Sequence, residues 1–424
     1  MAHFAKPSAG SWTQQYPELG TSPVDYTDSI DPAFYEKERA AIFKRTWLNV
    51  GRVERLPRTG SYFTKELAAA GTSLVIVKGG DGTIRAFHNV CRHRGNKLVW
   101  NDFPGEETAG SCRQFICKYH AWRYDLTGKL TFVQQEDEFF DLDKADYGLK
   151  DVACDVWEGF IFINLDPQET LTEYLGDMAT SLAGYPFGEM TEVYSYRSEV
   201  GSNWKLFIDA FAEFYHAPVL HQKQAVKDEA DKLIGFGYEA LHYDLSTSPH
   251  SMISSWGGMS PPKDPAMVKP IERVLRSGLF GPWDKPAIDG LNADSLPPGL
   301  NPARHRAWGS DSFEFFPNFT LLIWEPGWYL TYHYWPTAVD KHIFESSLYF
   351  VPPTNTRQRL AQELAAVTFK EYALQDANTL EATQTMIATR TVTEFPLNDQ
   401  EILLRHLHKV VGDRVKEYTD ATTH

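Results

Sequence analysis

Residues 203–221 read NWKLFIDAFAEFYHAPVLH, and the interpretation of the whole chain begins from this stretch. It contains two acids and a histidine at spacings of four and three residues, namely Asp209, Glu213 and His216. On an α-helix, side chains at these spacings share one face. We therefore expect the three side chains to point towards one place.

The two histidines of this stretch are candidate ligands for one metal ion. His216 and His221 are five residues apart and would point in different directions on an unbroken helix. Pro218 lies between them and is expected to bend or end the helix, so that both imidazoles can reach the same point. The chain has 14 histidines, however, and such a pair also occurs among ordinary histidines. The spacing alone leaves both interpretations open.

The composition indicates a soluble globular protein with two or three domains. The chain has 424 residues, of which 42% are hydrophobic. Its net charge is −15 and its basic residues form no run. We therefore expect neither nucleic acid nor an anionic membrane as a partner, and a positively charged protein is the more favourable partner. No apolar stretch approaches the ~20 residues of a membrane span, and the first residues do not resemble a signal peptide. A cytoplasmic location is expected.

The hydrophobic pattern divides the chain into three parts. Residues 1–45 are expected to form a polar arm, draped over another surface or partly disordered and without visible chemistry, followed by a helix that Asp31 caps. Residues 46–165 show short segments of period two with a glycine-rich turn at 79–82, which predicts an all-β domain.

Residues 166–424 read as a mixed α and β domain. The predicted strands of its antiparallel sheet are 313–319, 321–324, 328–335 and 343–351. Residues 222–308 show little periodicity and are expected to be long connections that cover a pocket. A helix over 356–387 and a final helix to Tyr418 complete the domain.

The four cysteines do not form a disulfide framework in a chain of this length. Cys91 and His93 lie in one predicted loop of the β domain, and Cys117 and His120 lie in another. Structural zinc sites accept two Cys and two His ligands, but they usually group cysteine with cysteine and histidine with histidine. A Rieske [2Fe–2S] cluster takes one of each from both loops, so this pattern favours the cluster over zinc. The remaining cysteines, Cys112 and Cys154, are expected to be small buried hydrophobic residues.

These motifs together resemble the α (oxygenase) subunit of the Rieske non-haem iron oxygenases, the family of ring-hydroxylating dioxygenases and related monooxygenases. The likeness extends over most of the chain and includes WLNVGR at 47–52, RAFHNV at 85–90, YDLTG at 124–128, NWK at 203–205 and QD at 375–376. It implies an α+β fold with an N-terminal all-β Rieske domain and a C-terminal catalytic domain of the helix-grip type, in which helices cover an antiparallel sheet.

The resemblance also implies roles for individual residues. Asp376 stands where the family supplies a carboxylate ligand, so His216, His221 and Asp376 would hold a mononuclear non-haem Fe(II) as a facial triad. Glu213 would be the electron-transfer bridge to the cluster of a neighbouring subunit, and Asp209 would support the site from behind. The expected assembly is a homotrimer, with a small β subunit as a further possibility.

Three departures from the family pattern affect these expectations. Ala121 stands where glycine is usual, which a tight turn tolerates if φ is negative there. The pair Asp209-Ala210 replaces Glu-Asn, so the asparagine has no equivalent. Glu213 stands where many members have Asp, as in a subset that resembles amine-oxidising members.

The implied function is that of a terminal oxygenase that uses O₂ and electrons from NAD(P)H. The chain lacks a G-x-G-x-x-G motif after a strand, so a separate ferredoxin or flavin reductase is expected to deliver the electrons. The expected substrate is small, apolar and aromatic or cyclic, as in aromatic hydrocarbon catabolism. The alternative within enzymes is hydroxylation of an alkyl or amine group, or oxidative demethylation. A zinc-stabilised binding protein or an electron carrier are the alternatives outside enzymes, and neither gives a role to the acids and histidines that follow the cluster motif.

Overall fold

The structure of the protein, a computed structural model, describes residues 10–221, 240–256, 269–278, 281–286, 288, 295–306, 308–325 and 327–422. The chain forms two units. Residues 42–174 form the smaller unit, and the residues on both sides of this range form the larger one. No helix within the described ranges is both long and apolar enough to cross a membrane.

The N-terminal arm belongs to the larger unit. It contains α1 (Ser11–Gln15), β1 (Val24–Asp25) and α2 (Pro32–Glu38). The side chain of Asp31 accepts a hydrogen bond from the amide of Ala33 at 2.9 Å, which confirms the predicted cap. The arm lies on the end of the chain, because β1 pairs with residues Glu394–Phe395 and the amide of Thr13 donates to Asp399 at 2.8 Å.

The smaller unit is built from antiparallel strands rich in β-branched and aromatic residues. They are β2 (Leu48–Arg52), β3 (Ser61–Leu67), β4 (Thr72–Lys78), β5 (Ile84–His88), β6 (Ala109–Ser111), β7 (Phe115–Ile116), β8 (Arg123–Tyr124), β9 (Leu130–Phe132), β10 (Asp151–Trp157) and β11 (Phe160–Asn164). Seven of them form one sheet in the order β2-β11-β10-β5-β4-β3-β6, and β7-β8-β9 form a second. The all-β prediction is confirmed. The helix α3 (Leu171–Thr180) follows.

The larger unit contains a seven-stranded antiparallel sheet in the order β12-β20-β19-β18-β17-β14-β13. Its strands are β12 (Glu192–Val200), β13 (Ala240–Asp244), β14 (Ser251–Trp256), β17 (Trp308–Phe315), β18 (Phe319–Trp324), β19 (Trp328–Ala338) and β20 (Lys341–Phe350). Two short pairs lie outside this sheet: β15 (Ser277–Gly278) with β16 (Gly281–Pro282), and β1 with β21 (Glu394–Phe395).

The helices of the larger unit after the first strand of the sheet include α4 (Trp204–Phe211), α5 (Ala217–Leu220), α6 (Pro270–Leu275), α7 (Thr356–Ile387) and α8 (Ile402–Thr422). Of these, α4 and α7 pack on one face of the sheet. Phe207 and Phe211 of α4 contact Phe344 of β20, and Phe369 of α7 contacts Trp328 of β19. The predicted α+β class, with helices on an antiparallel sheet, is confirmed.

Two predictions for the larger unit are wrong. The segment 313–319 is not one strand, because a turn containing Pro317 separates β17 from β18, and proline cannot donate to a strand ladder. The stretch 222–308 is not all connections, since β13 and β14 belong to the sheet. Residues 251–255 are buried on both faces of their strand, so the sequence lacks the polar alternation that reveals a strand. Most of the remaining stretch lies outside the described residues.

Candidate metal centres

The histidines of the opening motif do not share one helix with Asp209. Helix α4 ends at Phe211, and Glu213 and His216 lie in the turn that leads to α5. Pro218 stands in the first turn of α5, where its missing amide hydrogen costs nothing. The proline therefore starts a helix rather than ending one, and it is this second, short helix that carries the chain back to His221.

The structure brings His216, His221 and Asp376 together. The two Nε2 atoms are 3.2 Å apart, and Asp376 Oδ1 lies 3.6 Å from Nε2 of His216 and 3.5 Å from Nε2 of His221. Asp376 comes from the middle of α7. Its side chain is 1% exposed, and neither carboxylate oxygen has a hydrogen-bond partner among the described residues. Three facing ligand atoms with an unsatisfied buried carboxylate fit a bound cation.

Two neighbours orient the imidazoles towards this point. Nδ1 of His216 lies 2.5 Å from Oε1 of Glu213, and Nδ1 of His221 lies 2.7 Å from Oε1 of Gln375. Each neighbour thus binds the nitrogen that faces away from Asp376, which leaves Nε2 free for a metal. The sequence did not predict this role of Gln375, although the residue belongs to the QD motif at 375–376. Its position directly before Asp376 was the signal that could have revealed the role.

Burial and charge shift the pKa values of the three candidate ligands. Burial raises the pKa of Asp376 to about 7 and lowers that of His221 to about 4. Burial also opposes a charge on His216, but its hydrogen bond with Glu213 and the charge of that acid outweigh this effect and raise its pKa. A divalent cation at this point would favour an ionised Asp376 and neutral imidazoles, so its binding would release protons.

Asp209, Glu213, His216 and Asp376 line one cavity of about 260 Å³. The opening motif is therefore right in placing its acids and first histidine at one location, although not on one helix. Asp209 accepts a hydrogen bond from the hydroxyl of Tyr26 at 3.1 Å. Its other oxygen, Oδ1, is buried and has no partner within the described ranges.

The arm contributes to this site, contrary to the expectation that it carries no chemistry. His408 of α8 lies between two carboxylates, with Nε2 3.2 Å from Asp209 and Nδ1 3.2 Å from Asp28 of the arm. Lys205 lies 3.8 Å from Asp28 and 2.6 Å from Glu38, and both Lys205 and Glu38 are fully buried. These five groups, Asp28, Glu38, Lys205, Asp209 and His408, are called the arm network below.

The smaller unit presents two loops of the same design. In one, the amide of Gly95 donates to the carbonyl of Cys91 at 3.1 Å, and in the other the amide of Ala121 donates to that of Cys117 at 3.0 Å. Both cysteines are buried, and the imidazoles of the two loops lie with their ring centroids 4.5 Å apart.

The chemistry of these loops fits a cluster with mixed ligands. Nδ1 of His93 is buried and has no hydrogen-bond partner in the part of the chain that the structure describes. Sγ of Cys91 lies 3.4 Å from the hydroxyl of Tyr124, and Sγ of Cys117 lies 3.8 Å from the side-chain nitrogen of Asn96. Hydrogen-bond donors beside cysteine sulfur stabilise its thiolate form, which is the form that binds iron.

Ala121 does not have the negative φ that would let an alanine replace glycine in this turn without strain. Its φ is +56°, in the region that favours glycine, and the equivalent residue of the sister loop, Gly95, has φ +72°. The alanine side chain is therefore held in a strained turn directly after His120.

Cys112 and Cys154 are free, but they are only partly buried rather than buried as expected. Cys112 packs at the edge of the hydrophobic core of the smaller unit. Cys154 lies on β10, where its neighbours Asp155 and Val156 are exposed.

Comparisons with known proteins agree with this architecture. A family model described as the ring hydroxylating alpha subunit (catalytic domain) matches residues 187–417, and a model of the Rieske [2Fe-2S] domain matches residues 46–147. Among solved structures, the fold is similar to a quaternary ammonium Rieske monooxygenase, with a TM-score of 0.70 at 18% identity over 92% of this chain and 94% of that one. It is also similar to naphthalene 1,2-dioxygenase from Rhodococcus sp., with a TM-score of 0.70 at 20% identity over 93% of this chain and 94% of that one.

Curated relatives match parts of the sequence. The glycine betaine monooxygenase oxygenase subunit of Chromohalobacter salexigens is 34% identical over 45% of this chain and 41% of its own length. The carnitine monooxygenase oxygenase subunit of Acinetobacter pittii is 31% identical over 49% and 54%, and the biphenyl dioxygenase subunit alpha of Metapseudomonas furukawaii is 30% identical over 54% and 50%. The chain thus spans about half the length of the curated relatives it matches. Because the catalytic-domain model covers more than half of the 424 residues, the chain belongs to the family of ring-hydroxylating oxygenase α subunits, with a Rieske [2Fe–2S] cluster and a mononuclear non-haem iron as its cofactors.

Proposed function

We propose that the chain is the terminal oxygenase component of a system that uses O₂ and electrons from NAD(P)H to oxidise a small organic substrate. The observation that carries this proposal is the convergence of His216, His221 and Asp376, whose buried carboxylate has no hydrogen-bond partner among the described residues. Such a triad leaves positions open on a bound iron.

The ligand assignments belong to the same proposal. His216, His221 and Asp376 hold the mononuclear iron, within a catalytic domain of residues 166–424. The [2Fe–2S] cluster is held within a domain of residues 46–165 by Cys91, His93, Cys117 and His120. When bound, the iron supplies activation of O₂ and the cluster supplies single electrons. The protein itself supplies orientation, because Glu213 and Gln375 hold the two imidazoles by their Nδ1 atoms.

Electron delivery requires partners. A ferredoxin or a flavin reductase is proposed to reduce the cluster, and the net charge of −15 supports a partner with a basic surface. We further propose a homotrimer, with or without a small β subunit, in which Glu213 bridges to His120 of the partner subunit. The carboxylate of Glu213 holds His216 with Oε1, and its Oε2 accepts only the backbone amide of His216 at 3.1 Å among its described contacts. An oxygen has a second lone pair for a further donor.

Two substrate classes remain in the proposal, and the N-alkyl class comes first. The similarity to oxygenase subunits for glycine betaine and carnitine supports oxidation of an N-methyl or other N-alkyl group, and so does Glu213 in place of the more usual Asp. The ring of Tyr372 lies 4.9 Å from that of His221, and aromatic faces attract organic cations. The similarity to a biphenyl dioxygenase subunit supports the second class, an apolar aromatic or cyclic substrate.

The deciding experiment is product analysis under ¹⁸O₂ with the protein, a reductase system and a panel of N-methylated amines, alkyl ethers and arenes. Monooxygenation places one ¹⁸O atom in the product and one in water, at the expense of two electrons and two protons. An N-methyl substrate then loses its hydroxylated carbon as formaldehyde. Dioxygenation of an arene places both atoms in a dihydrodiol for the same two electrons and two protons. Absence of any hydroxylated or demethylated product across the panel, with iron and cluster present, contradicts the proposed function.

The cluster ligands have an independent test. The purified protein is expected to be brown and, after reduction, to give the low average g value that histidine ligation produces, since the four ligands are mixed. A colourless protein with stoichiometric zinc after anaerobic purification would overturn the assignment.

A further inference from the structure

A second cavity, of about 270 Å³, lies at the N-terminal end of α7. Gln362 on its wall and Asp376 at the metal centre are 14 residues apart on this helix, which places them ~21 Å apart along the axis. Aromatic rings fill the space between the two places. The ring centroid of Phe369 lies 5.3 Å from that of Trp328 and 5.5 Å from that of Tyr372, and the ring centroid of Tyr372 lies 4.9 Å from that of His221. The cavity is therefore separate from the metal centre, and the proposed function does not use it.

The inner wall of the cavity is apolar and aromatic. Trp328 stacks on Phe350 with ring centroids 5.2 Å apart, and Pro282 of the β15–β16 hairpin also lines the cavity. Gly281 has φ +100°, and a Cβ there would lie 2.5 Å from the indole of Trp328. Glycine thus lets the hairpin approach the tryptophan closely, and the hydroxyl of Ser277 anchors the hairpin to α7 through the carbonyl of Ala361 at 2.9 Å.

Two buried polar atoms, which belong to residues that line this cavity, lack a hydrogen-bond partner among the residues described. They are the indole nitrogen of Trp328, which can only donate, and Oε1 of Gln362, which can only accept. The side-chain nitrogen of Gln362 donates to the carbonyl of Val351 at 2.9 Å, which fixes the orientation of the amide. Trp328 is 2% exposed and Gln362 is 8% exposed, and a buried polar atom without a partner is destabilising. A hydroxyl group, which both donates and accepts, complements them.

Basic side chains surround the cavity mouth. Arg276 binds Asp284 through two nitrogens at 2.8 and 2.6 Å, and it does so from a left-handed backbone conformation with φ +54°. Lys285 pairs with Glu325. Arg357 approaches the same Asp284 no closer than 4.0 Å, and Arg276 already neutralises the charge of that acid. The described charges at the mouth therefore sum to one excess positive charge, carried by Arg357.

We propose that this cavity is a second binding site, for a small organic carboxylate whose apolar body carries a hydroxyl group. The carboxylate pairs with Arg357 at the mouth, the body packs on Trp328 and Phe350, and the hydroxyl meets the two unpaired polar atoms of the wall.

The probe for this site is 4-hydroxybenzoate, titrated into the cofactor-loaded wild-type protein by calorimetry. We expect saturable binding, and about tenfold weaker binding in Arg357→Gln, since a charge-assisted hydrogen bond is lost. Arg359→Gln is the matched control. Arg359 lies on the same helix but pairs with Glu363 at 3.0 Å and does not line the cavity, so its loss should leave the affinity unchanged. No binding by the wild type, no effect of Arg357→Gln, or equal effects of both variants would each overturn the proposal.

A second variant tests the inner wall by a different property of the probe. Trp328→Phe keeps an aromatic ring but removes the indole N–H. It should weaken binding of 4-hydroxybenzoate several-fold and leave binding of benzoate, which lacks the hydroxyl, unchanged. A general loss of packing or of folding would weaken both ligands equally, and that outcome would contradict the assigned orientation of the ligand.

Discussion

At the scale of single residues, Ala121 occupies a conformation that the sister loop gives to a glycine. Replacing Ala121 by Gly should relieve the strain at φ +56° and stabilise the second cluster loop by about 1 kcal/mol. The loss of cluster absorbance on heating measures this effect, with an expected rise in the midpoint. The reverse change in the sister loop, Gly95→Ala, is the control and should lower the midpoint. Equal midpoints for Ala121→Gly and the wild type would show that the turn is not strained.

Asp376 and His221 should be necessary for binding the mononuclear iron but not for binding the [2Fe–2S] cluster. Asp376→Ala removes a carboxylate that faces both imidazoles, and His221→Ala removes one of those imidazoles, so each variant should lose that iron and all turnover. Metal analysis and the visible spectrum of the cluster are the measurements. The cluster spectrum should be intact in both variants. If either variant lost the cluster as well, the division of ligands between two metals would be wrong.

Residue identities predicted the candidate ligands, but not the groups that support them. Cys91, His93, Cys117 and His120 stand out because cysteine and histidine are few and closely spaced. Tyr26 and His408 carry no such signal, since each meets Asp209 from a segment more than 180 residues away. Contacts of that kind arise only when the chain folds, and a single sequence contains no trace of them.

At the scale of elements, the arm network links the arm to α4 and α8. His408 faces Asp28 and Asp209, and Lys205 approaches Asp28 from α4. Burial opposes a charge on His408, but the two carboxylates outweigh it and raise the pKa of His408 to about 9. Its ordinary pKa is about 6.5. The folded state therefore binds this proton more tightly than the unfolded state does.

The stability of the larger unit should consequently depend on pH through His408. The contribution is fully present below about pH 6.5, declines as the pH rises, and is lost above about pH 9. Urea unfolding of the wild type and of His408→Gln between pH 6 and 10 measures it, and the difference between the two should shrink over this range. The same measurement on His305→Gln, at a partly exposed position, controls for the loss of a histidine. A difference that stays constant with pH would mean that His408 is not charged in the fold.

Elements were predicted well where one face meets water and poorly where none does. The long helix matches its predicted span, 356–387, because Asn355 caps it and its buried residues, such as Ala365, Phe369 and Tyr372, recur at helical spacing. Strand β14 was missed because residues 251–255 are buried on both faces. The break between α4 and α5 was also missed, because Pro218 is as compatible with the start of a helix as with its end.

At the scale of the whole molecule, the proposed trimer makes a prediction about electron transfer between subunits. On the proposed ligand assignment, Cys91→Ser should lose the cluster and His216→Ala should lose the mononuclear iron, so each variant alone should be inactive. When both are expressed together and rings form at random, a site works if its own iron and the neighbouring cluster are intact. Each condition holds for half of the chains, so about a quarter of the wild-type activity should return.

This experiment needs a control for the composition of the trimers. Mass measurement must first establish that mixed rings are present, and the wild type provides the reference activity per site. Transfer within one chain would restore nothing, because every chain carries one defect. A lack of activity in verified mixed rings would therefore contradict the bridge from Glu213 to His120 of the partner subunit.

The pairing of the arm with the end of the chain also sets an order for folding during synthesis. Thr13 binds Asp399 across 386 residues, whereas the smaller unit is formed by one continuous segment, 42–174. At the usual rate of about 5–20 residues per second, the ribosome needs roughly 20–80 s to make the partner of Thr13 after the arm has emerged. The smaller unit is complete long before that time and can fold while translation continues. Glu38 cannot form its buried ion pair until Lys205 has been synthesised. The nascent arm therefore remains a hydrated, charged segment until the second half of the chain has been made.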